Sequence, residues 1–503
     1  MNGVSEVEKM LNGLDIKAGA VATASYNNID GLCLFLCKEC LAGLPKLGLP
    51  EQIQAAIGAY AKRHGDMFAI GTISELVIPQ GESLLTVVIA GCGEGSECKP
   101  VAFRKAAGEA ARALGKAKVT QAVAAAPILT NPKRGAYLEA IVEGLYLGAY
   151  SFDEFKSEAK KPTACVVTLC SAILEAEALV AKATVSAEAV CFTRDLVNRP
   201  GNVVNPKVMA EEARKLAATL PLEVEVLDEV QMAERKMGAI LAVGQGSVNP
   251  PRLITLKYHG AEDAPYVAYV GKGITFDSGG ISIKPDDGMG EMKDDMSGAG
   301  AVLGAMKAIA SLGLKCNVLG ILACAENMPG GKAQRPGDIV RAANGKTIEV
   351  ISTDAEGRMV LADAVDYACK LGAKKVIDIA TLTGAVIIAL GKETSGIVAN
   401  DDELVEQIKK AGKFAGENFW QLPSLPECKE AIKSDVADLL NSAGRPGGCI
   451  TGGLFIGEFV GKDIPWAHLD IGGTSTATKS SGHKVKGGTG FGTLTLIKLA
   501  EAL

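Results

Sequence analysis

The chain has 503 residues, which exceeds what one hydrophobic core usually supports, so we expect at least two domains. With 48% hydrophobic and 22% charged residues, the composition is that of a folded protein and excludes a largely disordered one. The formal net charge of −6 excludes a generally basic surface, which disfavours nucleic acid or an anionic membrane as a partner.

The N-terminal residues and the cysteines indicate a cellular compartment. The first residues show no basic start, apolar run and small-residue cleavage site, so the sequence predicts no secretory signal. The apolar stretches are also shorter than a membrane span. The 13 cysteines are an odd number spread along the chain, which favours reduced thiols in the core over a disulfide framework. We therefore expect a cytoplasmic protein with no membrane partner.

The N-terminal part has the pattern of an α/β unit. Residues 83–93 (SLLTVVIAGCG) predict a buried strand that ends in glycines, and residues 101–117 have helical periodicity. The stretch from about 151 to 190 predicts a strand followed by a long connecting helix. We place the domain boundary in this stretch.

Three cysteines in this part have a suggestive spacing. Cys33, Cys37 and Cys40 form the C-x3-C-x2-C pattern of radical enzymes that bind a four-iron cluster. The same spacing, i, i+4 and i+7, also predicts one apolar face of a helix, where free cysteines behave as small hydrophobic residues. We favour core packing over the cluster.

Beyond the boundary, apolar runs alternate with helical segments. The runs that predict strands are LEVEVL, RLITLKY, APYVAYVG, CNVLGILAC and KKVIDIATL, and the helical segments include SGAGAVLGAMKAIASLG and EGRMVLADAVDYACKLG. This alternation predicts an α/β fold with a mostly parallel sheet flanked by helices. Ligands of such folds bind beyond the carboxyl ends of the strands.

Acids and lysines are concentrated beside three of these strands. The three segments contribute Lys272, Asp277 and Lys284; Asp294 and Asp295; and Asp354, Glu356 and Arg358. Neighbouring carboxylates repel each other, so a positive charge must compensate. Four or five acids are more than one divalent cation usually needs. The pattern therefore predicts two divalent ions about 3.5–4 Å apart, bridged by shared carboxylates, as in many hydrolases.

Each segment also has a purely structural interpretation. Asp354 and Glu356 could be the N-cap and a first-turn acid of the helix that follows them. Asp294 and Asp295 could cap their own following helix, and Lys272 could be an exposed loop lysine. Only the occurrence of all three segments at strand-to-helix junctions favours the metal interpretation.

At these residues the chain resembles the leucyl aminopeptidase family of two-metal exopeptidases. The family octapeptide NTDAEGRL is similar to STDAEGRM at residues 352–359. The segments GKGITFDSGG, MKDDMSGA, LVNRPGNVVNP, DIATLTGA and PWAHLDIGGT match the family in order and spacing. The resemblance implies a macro-like N-terminal α/β domain over 1–165, a linker helix over 166–190 and a larger catalytic α/β domain over 191–503.

The resemblance also implies a role for each matching residue. Five residues correspond to ligands of two ions, Zn²⁺ or Mn²⁺: Lys272 and Asp295 for the tighter site, Asp354 for the looser one, and Asp277 and Glu356 for both. Lys272 would bind only as the neutral amine, with its pKa lowered by the adjacent cations. Two residues correspond to the catalytic pair: Lys284, which would stabilise the oxyanion, and Arg358, which would hold a bicarbonate ion as general base. Four residues correspond to an apolar substrate pocket: Met292, Ala355, Thr381 and Gly384.

The implied function is release of N-terminal, leucine-like residues from short peptides with a free amine. The resemblance also implies a homo-oligomer, a hexamer built as a dimer of trimers. One departure from the family is Ser352, where the octapeptide usually has asparagine, so a side-chain amide is lost beside the site. Asp294 stands where relatives vary, and it adds negative charge without an implied ligand role. A DNA-binding or regulatory role of the same fold is the alternative function, and the acidity of the chain disfavours it.

Two other motifs have simpler interpretations. Gly345, Lys346 and Thr347 are reminiscent of a phosphate-binding loop, but Val340 stands where that motif requires glycine, so we predict a hairpin turn. His468 lies in an apolar run and is interpreted as a core residue. The sequence contains no G-x-S-x-G elbow, which argues against a Ser-His-Asp hydrolase.

Overall fold

A computed structural model describes residues 10–21, 25–26, 28–159 and 161–503. The chain forms two compact units. The first comprises the residues up to 191 together with 478–486, and the second comprises residues 192–477 and 487–503. Within the described ranges, no helix is long and apolar enough to cross a membrane.

The first unit contains a six-stranded sheet in the order β1-β6-β5-β2-β4-β3, in which every neighbouring pair is parallel except β3 with β4. The strands are β1 (Leu14–Ala20), β2 (Gly31–Leu36), β3 (Ile73–Gln80), β4 (Ser83–Gly91), β5 (Gln121–Ala125) and β6 (Cys165–Ser171). The helices are α1 (Glu51–Arg63), α2 (Pro100–Lys116), α3 (Gly135–Ala149) and α4 (Ala176–Asn198), and the boundary between the units falls within α4. The predicted strand over 83–93, the helix over 101–117 and the strand with a long helix over 151–190 are confirmed.

The helix predicted through the three cysteines is wrong. Residues 31–36 form β2, which is buried throughout and pairs with strands on both sides, and a 3₁₀ helix follows at Lys38–Leu47. Pairing within the sheet overrides the helical spacing because all six strand residues are enclosed by the fold. Cys33 is a buried strand residue, whereas Cys37 and Cys40 form a disulfide. The expectation of reduced thiols is therefore corrected for this pair, and most of the other cysteines are buried.

The second unit is built on an eight-stranded sheet in the order β15-β14-β17-β13-β9-β10-β8-β7. Its strands are β7 (Glu223–Leu227), β8 (Arg252–His259), β9 (Tyr266–Asp277), β10 (Asn317–Asn327), β13 (Lys375–Ala380), β14 (Thr394–Ala399), β15 (Asn418–Gln421) and β17 (Trp466–Asp470). The four central strands, from β17 to β10, are parallel, and antiparallel pairs flank them on both sides. Smaller sheets comprise β11 (Ile339–Arg341), β12 (Thr347–Glu349) and β16 (Leu439–Leu440), and β18 (Thr476–Ala477) with β19 (Gly487–Gly488). All five strands predicted in this region are confirmed.

Helices cover both faces of this sheet. They are α5 (Pro206–Ala217), α6 (Glu229–Glu234), α7 (Gly238–Gly244), α8 (Ser297–Leu312), α9 (Gly357–Lys370), α10 (Gly384–Leu390), α11 (Asp402–Ala415), α12 (Pro426–Glu430), α13 (Gly448–Gly457) and α14 (Thr493–Ala500). Alternate residues of β9 face opposite sides, as in any strand. Ala268 and Val270 belong to the core with α7, α9 and α13, whereas the Tyr269 hydroxyl donates to the Leu496 carbonyl in α14. The predicted α/β fold is confirmed.

Glycines let α8 lie directly against β9. A Cβ at Gly271 would stand 2.5 Å from the Cα of Ala299, and one at Gly298 would stand 2.1 Å from the Ile379 carbonyl oxygen. Side chains at these positions would force the helix away from the sheet. The small residues therefore fix the start of α8, and with it the preceding acidic segment, beside the strand ends.

Candidate functional site

The carboxyl ends of β9, β10 and β13 lie side by side at one edge of the central sheet. Asp277 is the last residue of β9 and Asn327 the last of β10, while Thr381 directly follows β13. Because the three strands are parallel neighbours, their ends bring these side chains to a common region. The loops before α8 and α9 add the remaining acids.

Three carboxylates converge at this edge. One oxygen from each of Asp277, Asp354 and Glu356 lies within 4.8 Å of the others. Asp277 and Glu356 are both 2% exposed, whereas the Asp354 side chain is 39% exposed. Such a cluster is costly unless positive charge balances it.

Lys272 supplies part of this balance from within β9. The sequence placed it after the strand or on an exposed loop, but it lies inside the strand and is 2% exposed. Its Nζ lies 2.8 Å from Asp295 Oδ2 and 2.8 Å from Glu356 Oε1, and it donates to the Thr381 carbonyl at 2.9 Å. Burial lowers the pKa of this amine, but the carboxylates of Asp295 and Glu356 outweigh burial and raise it above its ordinary value.

Gly357 makes room for the Lys272 side chain. A Cβ at Gly357 would stand 2.5 Å from Lys272 Cε and 2.6 Å from its Nζ. The first residue of α9 therefore has to be small for the lysine to reach the acids. This contact explains why a glycine follows Glu356 at the start of the helix.

Lys284 is the second cation of the cluster. Its Nζ lies 2.8 Å from Asp277 Oδ2 and 2.5 Å from Asp354 Oδ1, and its side chain is 20% exposed. Burial lowers the pKa of the Lys284 amine, but the carboxylates of Asp277 and Glu356 raise it above its ordinary value. Lys284 is thus a charged group on the more exposed side of the cluster, beside Asp354.

Neither Asp295 nor Glu356 caps a helix with its side chain. The N-cap of α8 is Met296, and Asp295 instead accepts a hydrogen bond from Thr381 Oγ1 at 2.8 Å and pairs with Lys272. Glu356 does occupy the N-cap position of α9, but its carboxylate binds Lys272. Both acids therefore direct their oxygens into the site.

Burial raises the pKa of these acids. The pKa of Asp295 is raised well above its ordinary value by burial and by Glu356, and that of Glu356 by burial and by Asp277. Burial raises the pKa of Asp294 to about 6, with a further contribution from Glu291. A divalent cation among these oxygens would favour the ionised forms. The donor set of four carboxylates and an amine fits hard or borderline divalent ions such as Mn²⁺ and Zn²⁺.

Two asparagines support the site, and the sequence analysis missed both. Asn327 donates to Asp277 Oδ1 at 2.8 Å and to the Thr353 carbonyl at 3.0 Å. Its position at the end of a buried strand was the available signal, but only charged residues were considered there. Asn441 accepts from the Ser352 amide at 3.2 Å and donates to the Ser352 carbonyl at 2.6 Å. Ser352 Oγ accepts from the Asp354 amide at 3.2 Å, so the serine orders this loop without a side-chain amide.

Arg358 lies on the first turn of α9 and is 7% exposed. Its Nη1 donates to the Asn441 carbonyl at 2.9 Å, and a Cβ at Gly452 would stand 3.0 Å from its Nη2. Burial lowers the pKa of the guanidinium, which the carboxylates of Glu356 and Asp470 partly counter. The structure therefore places a buried cation on α9, two positions after Glu356 in the chain.

The four predicted pocket residues have different settings. Thr381 contacts both Lys272 and Asp295, and Ala355 lies between two of the clustered acids. Met292 lies in the 3₁₀ turn Met289–Asp294 and is partly buried. Gly384 is the exposed first residue of α10, and a Cβ there would face open space.

The remaining predicted motifs have structural roles. Gly345 and Lys346 lie in the turn between the antiparallel strands β11 and β12, which confirms the hairpin. His468 lies in β17 and is fully buried, and its Nδ1 lies 2.5 Å from Asp378 Oδ1. Trp466 Nε1 donates to the other oxygen of Asp378 at 2.7 Å. The core interpretation of His468 is therefore confirmed.

Comparison with known proteins decides the family. The profile of the cytosol aminopeptidase family catalytic domain matches residues 191–497, and that of the family's N-terminal domain matches residues 44–159. The chain belongs to the cytosol aminopeptidase family. It is accordingly a metallo-aminopeptidase, and the carboxylate cluster lies within the region that matches the family's catalytic domain.

Individual relatives agree with this membership. A probable cytosol aminopeptidase of Alkaliphilus metalliredigens is 48% identical over 373 residues, which cover 73% of this aminopeptidase and 74% of the relative. One of Syntrophotalea carbinolica is 44% identical over 468 residues, covering 90% and 93%. A mutant of tomato leucine aminopeptidase superposes with a TM-score of 0.88 at 34% identity, covering 100% and 98%. The bottromycin maturation enzyme BotP in complex with Mn gives 0.83 at 35% identity, covering 94% and 99%.

Proposed function

We propose that this aminopeptidase releases leucine-like N-terminal residues from short peptides through two divalent ions bound at the carboxylate cluster. The observation that carries the proposal is the convergence of Asp277, Asp354 and Glu356 at the end of a parallel sheet. Carboxylates converge in this way where a cation offsets their repulsion. A structure of the related enzyme BotP contains Mn, which supports Mn²⁺ or Zn²⁺ as the metal here.

Five residues would hold the ions. We assign Lys272 and Asp295 to the tighter site, Asp354 to the looser one, and Asp277 and Glu356 to both. The partial exposure of Asp354, against the burial of the other acids, supports its place in the looser site. Lys272 would bind as the neutral amine, which requires the cations to displace its ammonium contacts with Asp295 and Glu356. When bound, the ions supply Lewis-acid polarisation of the scissile carbonyl and a water of lowered pKa.

The residues of the chain then divide the remaining work. Lys284 lies at the open side of the cluster, where its ammonium can donate to the oxygen that gains negative charge. Arg358 would hold a bicarbonate ion, which supplies a base for the attacking water, and the buried guanidinium gives an anion a strong partner there. Met292, Ala355, Thr381 and Gly384 would line the pocket for the substrate side chain. The departure at Ser352 affects this loop little, because Asn441 already holds its backbone.

The assembly and domain division are part of the same proposal. The similarity to probable cytosol aminopeptidases supports a cytoplasmic location and peptide substrates with a free N-terminus. We propose a hexamer arranged as a dimer of trimers, and domains over 1–165 and 191–503 joined through residues 166–190. The predicted linker helix is α4 (Ala176–Asn198), because the residues before it form β6 (Cys165–Ser171) of the N-terminal sheet. Sedimentation velocity that showed an active monomer would contradict the hexamer. None of the relatives named above is described as a nucleic-acid-binding protein, and we do not propose that role.

The central experiment uses protein stripped of metal with a chelator. Mn²⁺ or Zn²⁺ is added back separately, and release of p-nitroaniline from leucyl-p-nitroanilide is followed. We expect activity to return with metal, and N-acetyl-leucyl-p-nitroanilide to remain uncleaved because it has no free amine. Chelator-resistant activity, or equal cleavage of the acetylated substrate, would refute the proposal.

A further inference from the structure

Three cysteines meet at the carboxyl edge of the N-terminal sheet. Cys37 directly follows β2, and Cys40 lies in the first turn of the 3₁₀ helix Lys38–Leu47. Cys98 belongs to the loop between β4 and α2. Because β2 and β4 are parallel neighbours, both loops leave the sheet at the same edge. The three sulfur atoms lie within 4.8 Å of one another.

Hydrogen bonds hold the two loops together. The Lys38 amide donates to the Gly93 carbonyl at 3.3 Å, and the Gly95 amide donates to Glu39 Oε1 at 2.7 Å. Lys38 Nζ also pairs with Glu94 Oε2 at 3.0 Å. Gly93 has a φ of 90°, a conformation that side chains disfavour, so a glycine is needed for this turn. The fold itself therefore sets the position of Cys98 relative to the other two cysteines.

The three sulfur atoms differ in bonding and access. Cys37 and Cys40 form a disulfide, while Cys98 is a free thiol. Cys37 is 2% exposed, whereas Cys40 and Cys98 are partly exposed. A C-x-x-C pair between a strand and a helix is typical of redox-active cysteines, and exchange requires access to at least one sulfur. Cys40 is the member of the disulfide that solvent can reach.

We propose that Cys37, Cys40 and Cys98 form a thiol–disulfide exchange site that reacts with low-molecular-weight disulfides. In the oxidising direction, the Cys40 thiolate attacks a disulfide RSSR, forms a mixed disulfide and releases one RS⁻. The Cys37 thiolate then attacks the Cys40 sulfur, which forms the Cys37–Cys40 bond and releases the second RS⁻. Two protein thiols are oxidised, one RSSR is reduced, and the two protons pass to the released thiolates.

Cys98 gives this site a second possible bond. Burial and the Glu39 carboxylate raise the pKa of the Cys98 thiol to about 11, so near neutral pH it stays protonated and reacts slowly. At higher pH its thiolate attacks the Cys40 sulfur, forms a Cys40–Cys98 bond and frees Cys37 as a thiolate. The disulfide then joins the two loops instead of closing one of them.

The test follows the oxidation state of each cysteine in the full chain. Reduced protein is equilibrated with mixtures of glutathione and glutathione disulfide at pH 7 and pH 9, quenched with acid, denatured and alkylated. Peptide mass mapping should show Cys37 and Cys40 losing alkylation together, with the linked peptide about 2 Da lighter than its reduced form. A Cys40–Cys98 linked peptide should become more abundant at pH 9.

Variants separate this site from general cysteine oxidation. Cys98→Ala should keep the Cys37–Cys40 disulfide and lose the peptide linked at pH 9. The double variant Cys37→Ala with Cys40→Ala should leave Cys98 alkylated at every ratio. Cys33→Ala, which changes a buried strand cysteine of the same segment, should titrate like the wild type.

Two results would overturn the proposal. The first is complete alkylation of Cys37 and Cys40 at every glutathione ratio, or a stable glutathione adduct that Cys37 never resolves. The second is a reduced protein that binds Zn²⁺ through all three thiols and resists glutathione disulfide while loaded, which would make the cluster a metal site. Loss of bound Zn²⁺ in Cys98→Ala would identify that second case.

Discussion

The side-chain amide of Asn327 donates a hydrogen bond of 2.8 Å to Oδ1 of Asp277. The same amide donates to the Thr353 carbonyl, so one neutral residue connects the ends of β9 and β10 to the loop before α9. With Oδ1 engaged in this way, Oδ2 of Asp277 is turned toward Lys284. Asn327 is therefore a positioning residue for the central carboxylate of the site.

Replacing Asn327 should weaken metal binding. Asn327→Ala removes the donor that orients Asp277, and loss of such a partner typically costs about 10–100-fold in metal affinity. The Mn²⁺ concentration that gives half-maximal activity should therefore rise, while kcat at saturating metal changes less. Asn418→Ala, at an exposed position on β15, serves as the control and should leave the titration unchanged. An unchanged Mn²⁺ titration for Asn327→Ala would show that Asn327 does not position Asp277 for metal binding.

The two buried shared acids should be indispensable. Asp277→Ala and Glu356→Ala each remove a carboxylate assigned to both ions, so we expect each to abolish turnover and to lower total metal content. Metal content is measured by inductively coupled plasma mass spectrometry of the dialysed protein. Asp286→Ala changes an exposed acid of the same segment and should retain both properties. Normal activity in either of the first two variants would refute the assignment of shared ligands.

Asp354→Ala should mainly affect the looser site. We assign Asp354, whose side chain is 39% exposed, to the looser site alone. Its removal therefore leaves the other four proposed ligands in place. Added Mn²⁺ or Zn²⁺ should restore activity to this variant better than to Asp277→Ala. Rescue of the two variants to the same extent would contradict the division of ligands between the sites.

Lys284→Ala should separate chemistry from metal binding. If the ammonium stabilises the oxyanion, kcat should fall by roughly 10²–10³-fold, the typical cost of removing one such donor, with KM much less affected. Metal content should stay unchanged. The exposed Lys332→Ala is the matched control. Full kcat in Lys284→Ala, or loss of its metals together with its activity, would show that Lys284 is not this electrophile.

The buried pair of Asp378 and His468 should make stability depend on pH. Burial lowers the pKa of His468, but the Asp378 carboxylate outweighs burial and raises it above its ordinary value of about 6.5. The stabilisation is therefore complete below the unfolded pKa and is lost as pH rises through the higher folded pKa. The urea midpoint of the wild type should exceed that of Asp378→Asn by more at pH 6 than at pH 9. Breaking a buried pair typically costs about 3–5 kcal/mol.

The exposed Glu427→Gln provides the control for this experiment, because it changes one acid at the surface. Its urea midpoint should follow the wild type at both pH values. A constant difference between wild type and Asp378→Asn from pH 6 to pH 9 would show that His468 does not change its charge in the folded protein over that range.

Local patterns in the sequence determined much of the larger sheet of the second unit and two of its helices. Strands β7 to β10 and β13, and helices α8 and α9, follow from apolar runs and helical spacing, because those elements bury continuous faces. The same patterns placed Asp277, Asp295 and Glu356 beside strand ends. The resemblance to a known family went further and implied a role for each of them.

Tertiary structure alone decided which partners these residues meet. Lys272 is a buried strand residue because Gly357 of α9 leaves space for its side chain beside Glu356. Lys272 and Gly357 are more than eighty positions apart in the chain. Cys33 lies in a strand instead of the predicted helix because β2 pairs with strands on both sides. Pairing between distant strands and contact between distant side chains have no local signature, so periodicity predicts the elements while packing selects their contacts.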